Sequence, residues 1–205
     1  MSLPSAFRFA AAAALVLVPG FAPITYHFGV SPQRTNITFE SRADVETILG
    51  STMDLAGEAV FDEEAGTVRC DLSVAVDSLR TGIPLRDEHL RSDAWLDAKK
   101  HPTITFKATS SRRKEGADNV LVVEGDFTMK GKTRPLTVDV KFRKISAETA
   151  KKSKLEEGEW VRFSTSFPVK LADHDVRIPD GVGPKVAETW TVKFEAYAST
   201  VKKKA

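Results

Sequence analysis

The sequence predicts an all-β domain of about eight strands, packed either as a closed barrel or as a sandwich. Three observations carry this. Apolar residues recur with a period of two rather than 3.6, the apolar runs are spaced by turn signals, and nothing resembles the strand–helix alternation of a doubly wound sheet.

Taken in chain order, Asn36–Glu40 and Leu55–Phe61 are the first, weaker strand candidates. The clearest run follows: Val68, Cys70, Leu72, Val74 and Val76 share one face, and Arg69, Asp71, Ser73 and Asp77 share the other. Such a strand has one dry and one wet side. Leu85 to Asp97 is the best helix candidate, because Pro84 precedes it and Asp87 and Glu88 place acids near its start. Ile104 and Phe106 then alternate with Thr103, Thr105 and Lys107, and Val120–Met129 forms a further candidate. Leu136, Val138, Val140 and Phe142 alternate with Thr137, Asp139 and Lys141. Ala147 to Glu159, rich in Lys and Glu, reads as a solvated connection with at most a short frayed helix. Val161–Val169 and the alternation of Trp190, Val192 and Phe194 complete the set. The turn signals are Glu64-Ala65-Gly66, Glu115-Gly116-Ala117 and Lys130-Gly131-Lys132. An eight-stranded barrel is just wide enough to be filled by side chains or to hold one small ligand, and periodicity does not choose between these.

Length and composition set the frame. The chain has 205 residues, 41% of them hydrophobic and 28% charged, which excludes a disordered chain and a multispan membrane protein. Its 30 basic and 28 acidic residues leave a net charge of +2, too small to mark a nucleic-acid binder. The single cysteine, Cys70, excludes an intramolecular disulfide framework and a multi-cysteine metal site. Met1 to Arg8 carries one positive charge, Phe9 to Val18 is a short apolar run, and Pro19, Gly20, Phe21 and Ala22 supply a break and small residues. This is the layout of a bacterial secretory signal peptide, and the run is too short to span a bilayer. The expected organisation is therefore a signal peptide over 1–22, one β domain over 23–200 and a basic tail over 201–205, with a periplasmic or secreted location.

Catalytic motifs are scarce. His27, His89, His101 and His174 form no pair at metal-ligand spacing, so neither a metal nor a cofactor is expected. No glycine-flanked serine of the nucleophile-elbow type occurs. Cys70 lies on the apolar face of its strand, where a buried, inert thiol is the expected state. The stretch from Gly125 to Thr133 resembles a phosphate loop with one residue too many, but it leads to Pro135 and another strand, so a hairpin turn at Lys130-Gly131-Lys132 explains it better. Basic clusters at Arg112-Arg113-Lys114, Lys130-Lys132-Arg134 and Lys202-Lys203-Lys204 lack interleaved aromatics and read as solvated hairpin tips and a tail.

From Val74 onward the chain resembles the YceI-like domain family, bacterial lipocalin-fold proteins associated with isoprenoid binding. The resemblance rests on Val76-Asp77-Ser78-Leu79-Arg80-Thr81-Gly82, Arg86-Asp87-Glu88-His89-Leu90, Trp95-Leu96-Asp97 and His101-Pro102-Thr103-Ile104-Thr105-Phe106, then on the hairpin from Gly125-Asp126-Phe127-Thr128 to Gly131-Lys132-Thr133-Arg134-Pro135. Departures fall at Arg34-Thr35-Asn36, at Trp95-Leu96 and at Asp173-His174-Asp175-Val176. The resemblance implies an eight-stranded antiparallel lipocalin-like barrel with the short helix inserted, and an apolar lumen.

The function this predicts is a non-enzymatic binding or carrier protein that encloses a long apolar ligand, such as a polyisoprenoid, an isoprenoid quinone or a lipid. The alternatives are a filled-barrel interaction or stress-response protein with no ligand, and a quinone-linked redox accessory. The expected lumen residues are Ile37, Phe39, Leu72, Val74, Val76, Ile104, Phe106, Leu121, Val123, Phe127, Val138, Val140, Phe163, Val192 and Phe194. Arg86, Asp87 and His89 are expected either to fix the inserted helix to the barrel or to bind a polar headgroup at its opening. No nucleic-acid partner and no permanent membrane span is expected, and the choice between monomer and homodimer stays open.

Overall fold

The computed structural model describes residues 23–202, so the expected signal peptide over 1–22 and most of the basic tail, including Lys203 and Lys204, lie outside the described residues. The strands are β1 (Ile24–His27), β2 (Asn36–Arg42), β3 (Thr47–Thr52), β4 (Ala56–Asp62), β5 (Thr67–Ala75), β6 (Thr103–Arg113), β7 (Val120–Met129), β8 (Lys132–Ile145), β9 (Trp160–Lys170) and β10 (Thr189–Ser199). Two α-helices, α1 (Pro84–Arg91) and α2 (Ala147–Lys152), interrupt them.

Every strand pairing is antiparallel, and the order β1-β4-β5-β6-β7-β8-β9-β10 closes through the His27–Ser199 pairing of β1 with β10. The ring therefore has eight staves. β2 and β3 extend it: β2 continues β1 along β10, pairing Asn36 with Glu195 and Glu40 with Thr191, and β3 lies outside β2. A 3₁₀ turn over Pro32–Arg34 breaks the first stave, and Met53–Leu55 breaks the second, between β3 and β4. We call the end where β1 meets β10 the lower end and the end carrying β2, β3 and α1 the upper end.

Closure into a barrel rather than a sandwich resolves the choice that periodicity left open. It also hides the row of unpaired backbone groups that an open sheet would present along most of its length. The three turn signals are the β4–β5, β6–β7 and β7–β8 hairpins. At the last, Lys130 (φ 48°) and Gly131 (φ 70°) both adopt the left-handed region demanded by a two-residue hairpin turn, so the stretch like a phosphate loop is a tight turn.

Above Ser51 the second stave loses its neighbour. β5 pairs with β4 only as far up as Ser73–Ala56, and β3 touches the following segment at one point, where Ser51 and Arg80 exchange backbone hydrogen bonds of 2.8 and 3.0 Å. Residues 76–98 fill this split.

Two expectations are corrected here. The strand begun at Val68 ends at Ala75: Val76 opens a 3₁₀ turn over Val76–Ser78, held by its N–H to the Pro102 carbonyl and by Ser78 Oγ donating to the Ala75 carbonyl at 2.7 Å. The helix expected over Leu85–Asp97 stops at Arg91. Ser92 turns back on His89 through its N–H and its Oγ, and Asp97 takes a left-handed φ of 49°. The physical reason is the position of Leu96. Six residues on in a continuous helix, it would face about 120° away from Leu90. Folding back lets the Leu96 N–H reach the Leu90 carbonyl and buries both leucines in one cluster.

Candidate functional site

Inside the ring the inward positions form two packed clusters with a cavity between and around them. The lower cluster contains Tyr26, Phe61, Leu121, Phe142, Val161, Ala196 and Ala198. Phe61 sits edge-on to Phe142 and Phe163, at centroid distances of 5.0 and 5.9 Å. Tyr26 donates its hydroxyl to Glu159 at 3.0 Å, and burial together with that carboxylate pushes its pKa above the usual phenol range.

The upper cluster draws on connections rather than strands. Val76, Leu79, Leu90 and Leu96 come from the β5–β6 connection, and Leu171, Val176 and Val186 from the β9–β10 connection. They cover Phe39, Met129, Val169 and Trp190 of the barrel.

The cavity measures about 170 Å³. No charged side chain lines it. Apolar cavities of this size stay dry and accept apolar guests. Of the expected lumen residues, Ile37, Phe39, Leu72, Val74, Ile104, Phe106, Val123, Phe127, Val138, Val140, Phe163, Val192 and Phe194 all line it. Val76 and Leu121 do not. Val76 belongs to the upper cover, 1% exposed, and Leu121 to the lower plug, where it is fully buried.

The structure adds residues absent from the expected lumen set. Phe28 and Leu55 lie at the breaks in the first two staves, and Leu79 and Leu96 come from the cover. Met129 and Trp190 complete the upper wall. A signal for the strand residues existed, since Trp190 heads the alternation with Val192 and Phe194. None existed for Leu79 and Leu96, which lie outside any strand. A second, more open pocket of about 420 Å³, edged by Met53, Asp54, Ser78 and Arg80, shares Phe28 and Leu55 with the lumen.

Cys70 also lines the cavity, and burial pushes its thiol up to about 11, which keeps it protonated at neutral pH. At the upper end an aromatic stack forms: Trp190 lies against Phe39 at 4.8 Å and 14°, and against Trp95 at 6.4 Å and 20°. Gly50, opposite Phe39 on β3, makes this possible, because a Cβ there would sit 2.1 Å from the Phe39 ring.

Arg86, Asp87 and His89 stand apart from the lumen lining. Arg86 pairs with Glu46 at 3.1 Å, tying α1 to the β2–β3 turn. Asp87 is buried and accepts hydrogen bonds from the Thr81 N–H at 2.7 Å and the Thr81 hydroxyl at 2.6 Å. Burial works to raise its pKa, but these two bonds and the charges of Arg91 and Arg80 hold it below the usual carboxylate range. His89 is exposed, and its carbonyl serves as the acceptor for Ser92. The basic clusters are tied down by local pairing: Lys132 meets Asp175 at 2.9 Å, Lys114 pairs with Asp139, and Arg113 donates to the carbonyls of Asp118 and Glu63. Among the described residues no three His, Cys, Asp or Glu side chains gather into a metal-ligand set, and no helix is long and apolar enough to cross a membrane.

Comparison with known proteins agrees with this architecture. The chain is 35% identical over 96 residues to Protein YceI of Escherichia coli, a match covering 46% of this chain and 49% of that protein. It is 29% identical to a UPF0312 protein of Vibrio parahaemolyticus over 97% of this chain and 98% of that one. Among solved structures, BcnA of Burkholderia cenocepacia superposes with a TM-score of 0.70 at 21% identity, over 83% of this chain and 99% of its own. A polyisoprenoid binding domain from Saccharophagus degradans, implicated in plant cell wall breakdown, superposes with a TM-score of 0.61 at 12% identity, over 86% and 98%. The model of the YceI-like domain matches residues 28–198, from Phe28 at the break of the first stave to Ala198 on the strand that closes the ring, and the chain accordingly belongs to the YceI-like domain family.

Proposed function

We propose that this protein is a carrier or sensor that encloses a long apolar chain, of the polyisoprenoid, isoprenoid-quinone or lipid class, in its barrel. The observation that carries the reading is the lumen itself: a cavity walled by Ile, Leu, Val, Phe and Met side chains, with no charge on its lining. Each CH₂ moved from water into such a lining contributes about 0.8 kcal/mol, so ten contribute about 8 kcal/mol before ordering costs. Useful affinity then needs few polar contacts. The polyisoprenoid binding described for the Saccharophagus degradans domain points the same way.

The reading is of a binding protein rather than an enzyme. Cys70 is the one titratable side chain on the lining, and its thiol is held protonated by burial. We further propose that the layout of residues 1–22 directs export, so that the carrier works in the periplasm.

Native mass spectrometry with lipid extraction, on mature protein purified from its own host, tests the proposal. A stoichiometric isoprenoid or fatty-acyl mass is expected. Lipid-free protein that also refuses polyprenyl and quinone ligands in titration overturns it.

A further inference from the structure

The large apolar side chains left in water among the described residues are not scattered. Val45, Leu49, Met53, Ile83 and Leu85, between 46% and 67% exposed, all come from the β2–β3 turn, β3 with its exit, and the start of α1. Two ties draw these segments onto one flank. Ser51 and Arg80 exchange backbone hydrogen bonds, and Arg86 pairs with Glu46, so residues 80–86 run antiparallel beside β3. Leu49 and Met53 alternate with the buried Gly50 and Thr52 and therefore face outward. Single exposed apolar residues need no explanation, but five gathered on one flank mark a surface that something covers.

The second pocket indicates what covers it. Met53 lines that pocket together with Phe28, Leu55, Asp54 and Arg80. Arg80 is anchored, because its Nη1 donates to the Asp77 carbonyl at 2.6 Å and the Leu79 carbonyl at 2.8 Å. Its Nη2 and Nε hydrogens remain unspent, and among the described residues no carboxylate pairs with it. The exposed Asp54 carboxylate likewise has no ion-pair partner among the described residues; its backbone N–H alone is held, on the Thr52 hydroxyl at 2.9 Å. The Thr52 and Ser78 hydroxyls bond each other at 2.7 Å, and Ser78 donates on to the Ala75 carbonyl, so both protons are already committed. One pocket thus holds a cation and an anion that do not pair with each other, beside apolar Phe28, Leu55 and Met53.

We propose that this flank docks on a phospholipid bilayer, with the apolar side chains entering the interface and the pocket seating a zwitterionic headgroup, its phosphate on Arg80 and its ammonium on Asp54. The charges select this occupant. A headgroup carrying both signs satisfies both groups, whereas an anionic one meets a like charge at Asp54 and an uncharged one leaves both unused. The whole chain carries a net charge of only +2, so no broad attraction to an anionic surface overrides this local recognition. Shallow entry of Leu, Ile, Val and Met side chains at the headgroup boundary supplies the binding that the pocket then makes selective. The inference is independent of what the lumen holds.

The test uses the mature chain and sedimentation with vesicles of three compositions: equal parts phosphatidylethanolamine and phosphatidylcholine, phosphatidylglycerol alone, and digalactosyldiacylglycerol, whose headgroup is uncharged. Binding to the zwitterionic vesicles is expected to be about tenfold tighter than to either of the others. Leu49→Ser combined with Leu85→Ser should weaken binding to all three about tenfold, through lost insertion. Asp54→Lys should move the preference to phosphatidylglycerol. All three positions are exposed, so the fold should be retained. Absence of binding, equal binding to the three, a preference of the unmutated protein for phosphatidylglycerol, or a preference that Asp54→Lys leaves unmoved would each overturn the proposal. So would a solution dimer that ignores vesicles and dissolves in the double variant, which would assign the flank to a second copy.

A measurement on the unmutated protein guards against misfolding of the variants. Beyond residue 22 the chain has two methionines, Met53 on the flank and Met129 buried inside the barrel. With ¹³C-methyl methionine and small zwitterionic bicelles carrying a nitroxide-labelled acyl chain, the Met53 signal should broaden strongly and the Met129 signal little. Equal broadening, or none, overturns the assignment.

Discussion

The two ends of this barrel are sealed by different means. At the lower end, Tyr26, Phe61, Phe142 and Val161 project from strands whose backbone pairing continues round the ring to the His27–Ser199 contact. At the upper end the staves part above Ser51, and the cover consists of Val76, Leu79, Leu90, Leu96, Leu171, Val176 and Val186, borne on 3₁₀ turns, one short helix and loops. Strands hold the lower plug through dense ladders that open only with the whole sheet. The upper cover hangs on a few scattered bonds, so local opening is expected there before it is expected at the lower end.

The largest test of this contrast is truncation within each seal. Phe61→Ala removes a 2%-exposed ring packed on Phe142 and Phe163 and should cost about 3–5 kcal/mol in urea unfolding, with the whole barrel losing stability together. Leu96→Ala in the cover should cost about 2–3 kcal/mol, towards the lower limit for a buried leucine, because a local opening can absorb part of the change. Equal costs with equal cooperativity would erase the distinction. Hydrogen exchange then sharpens it. Amides of 76–98 and 171–187 should exchange faster than those of β7, β8 and the lower half of β10, and a bound apolar ligand should slow the first set selectively.

A smaller effect is expected at the joint that holds the cover. Asp87→Ala removes the acceptor of two Thr81 hydrogen bonds and should cost about 1–3 kcal/mol, measured by urea unfolding. Because the folded Asp87 carboxyl is held below its ordinary range, its contribution is present in full above the unfolded value near 3.9 and disappears as pH falls through the folded one. The cover should thus loosen in acid. Asp87→Asn should abolish that acid-dependent part of the exchange from 76–98, and a variant that loosens at low pH as the parent does would show that another group controls the joint.

The smallest expected effect concerns Cys70. With its thiol raised to about 11, alkylation by iodoacetamide at pH 8 should run far below the rate of a free cysteine, and a lumen ligand should slow it further. Rapid alkylation untouched by ligand would mean that the lumen beside β5 is open to solvent.

Alternation was enough to place most of the staves, since one-sided burial writes itself into a strand every second residue. Val120–Met129 is β7 to the residue, and the runs at Leu136–Phe142 and Val161–Val169 lie within β8 and β9. β1 and β3 escaped. β1 has four residues, too few for a period to register. In β3 the pattern is inverted: Leu49 is 61% exposed and the buried positions are Gly50 and Thr52, with the Phe39 ring of the neighbouring strand occupying the place of a side chain at Gly50. Local sequence cannot record that substitution of one strand's ring for another's side chain.

The lumen divides the same way. That Ile37, Leu72, Ile104 and Phe194 face inward was determined by their own strands. That Val76 and Leu121 seal the barrel while the others line a cavity was decided by tertiary structure, through the end of β5 at Ala75 and the packing of the lower plug. Whether a barrel is filled or hollow depends on the summed volume of side chains meeting from opposite walls, and on the connections folded over its ends. Both are relations between residues far apart in the chain, and no window of sequence contains them.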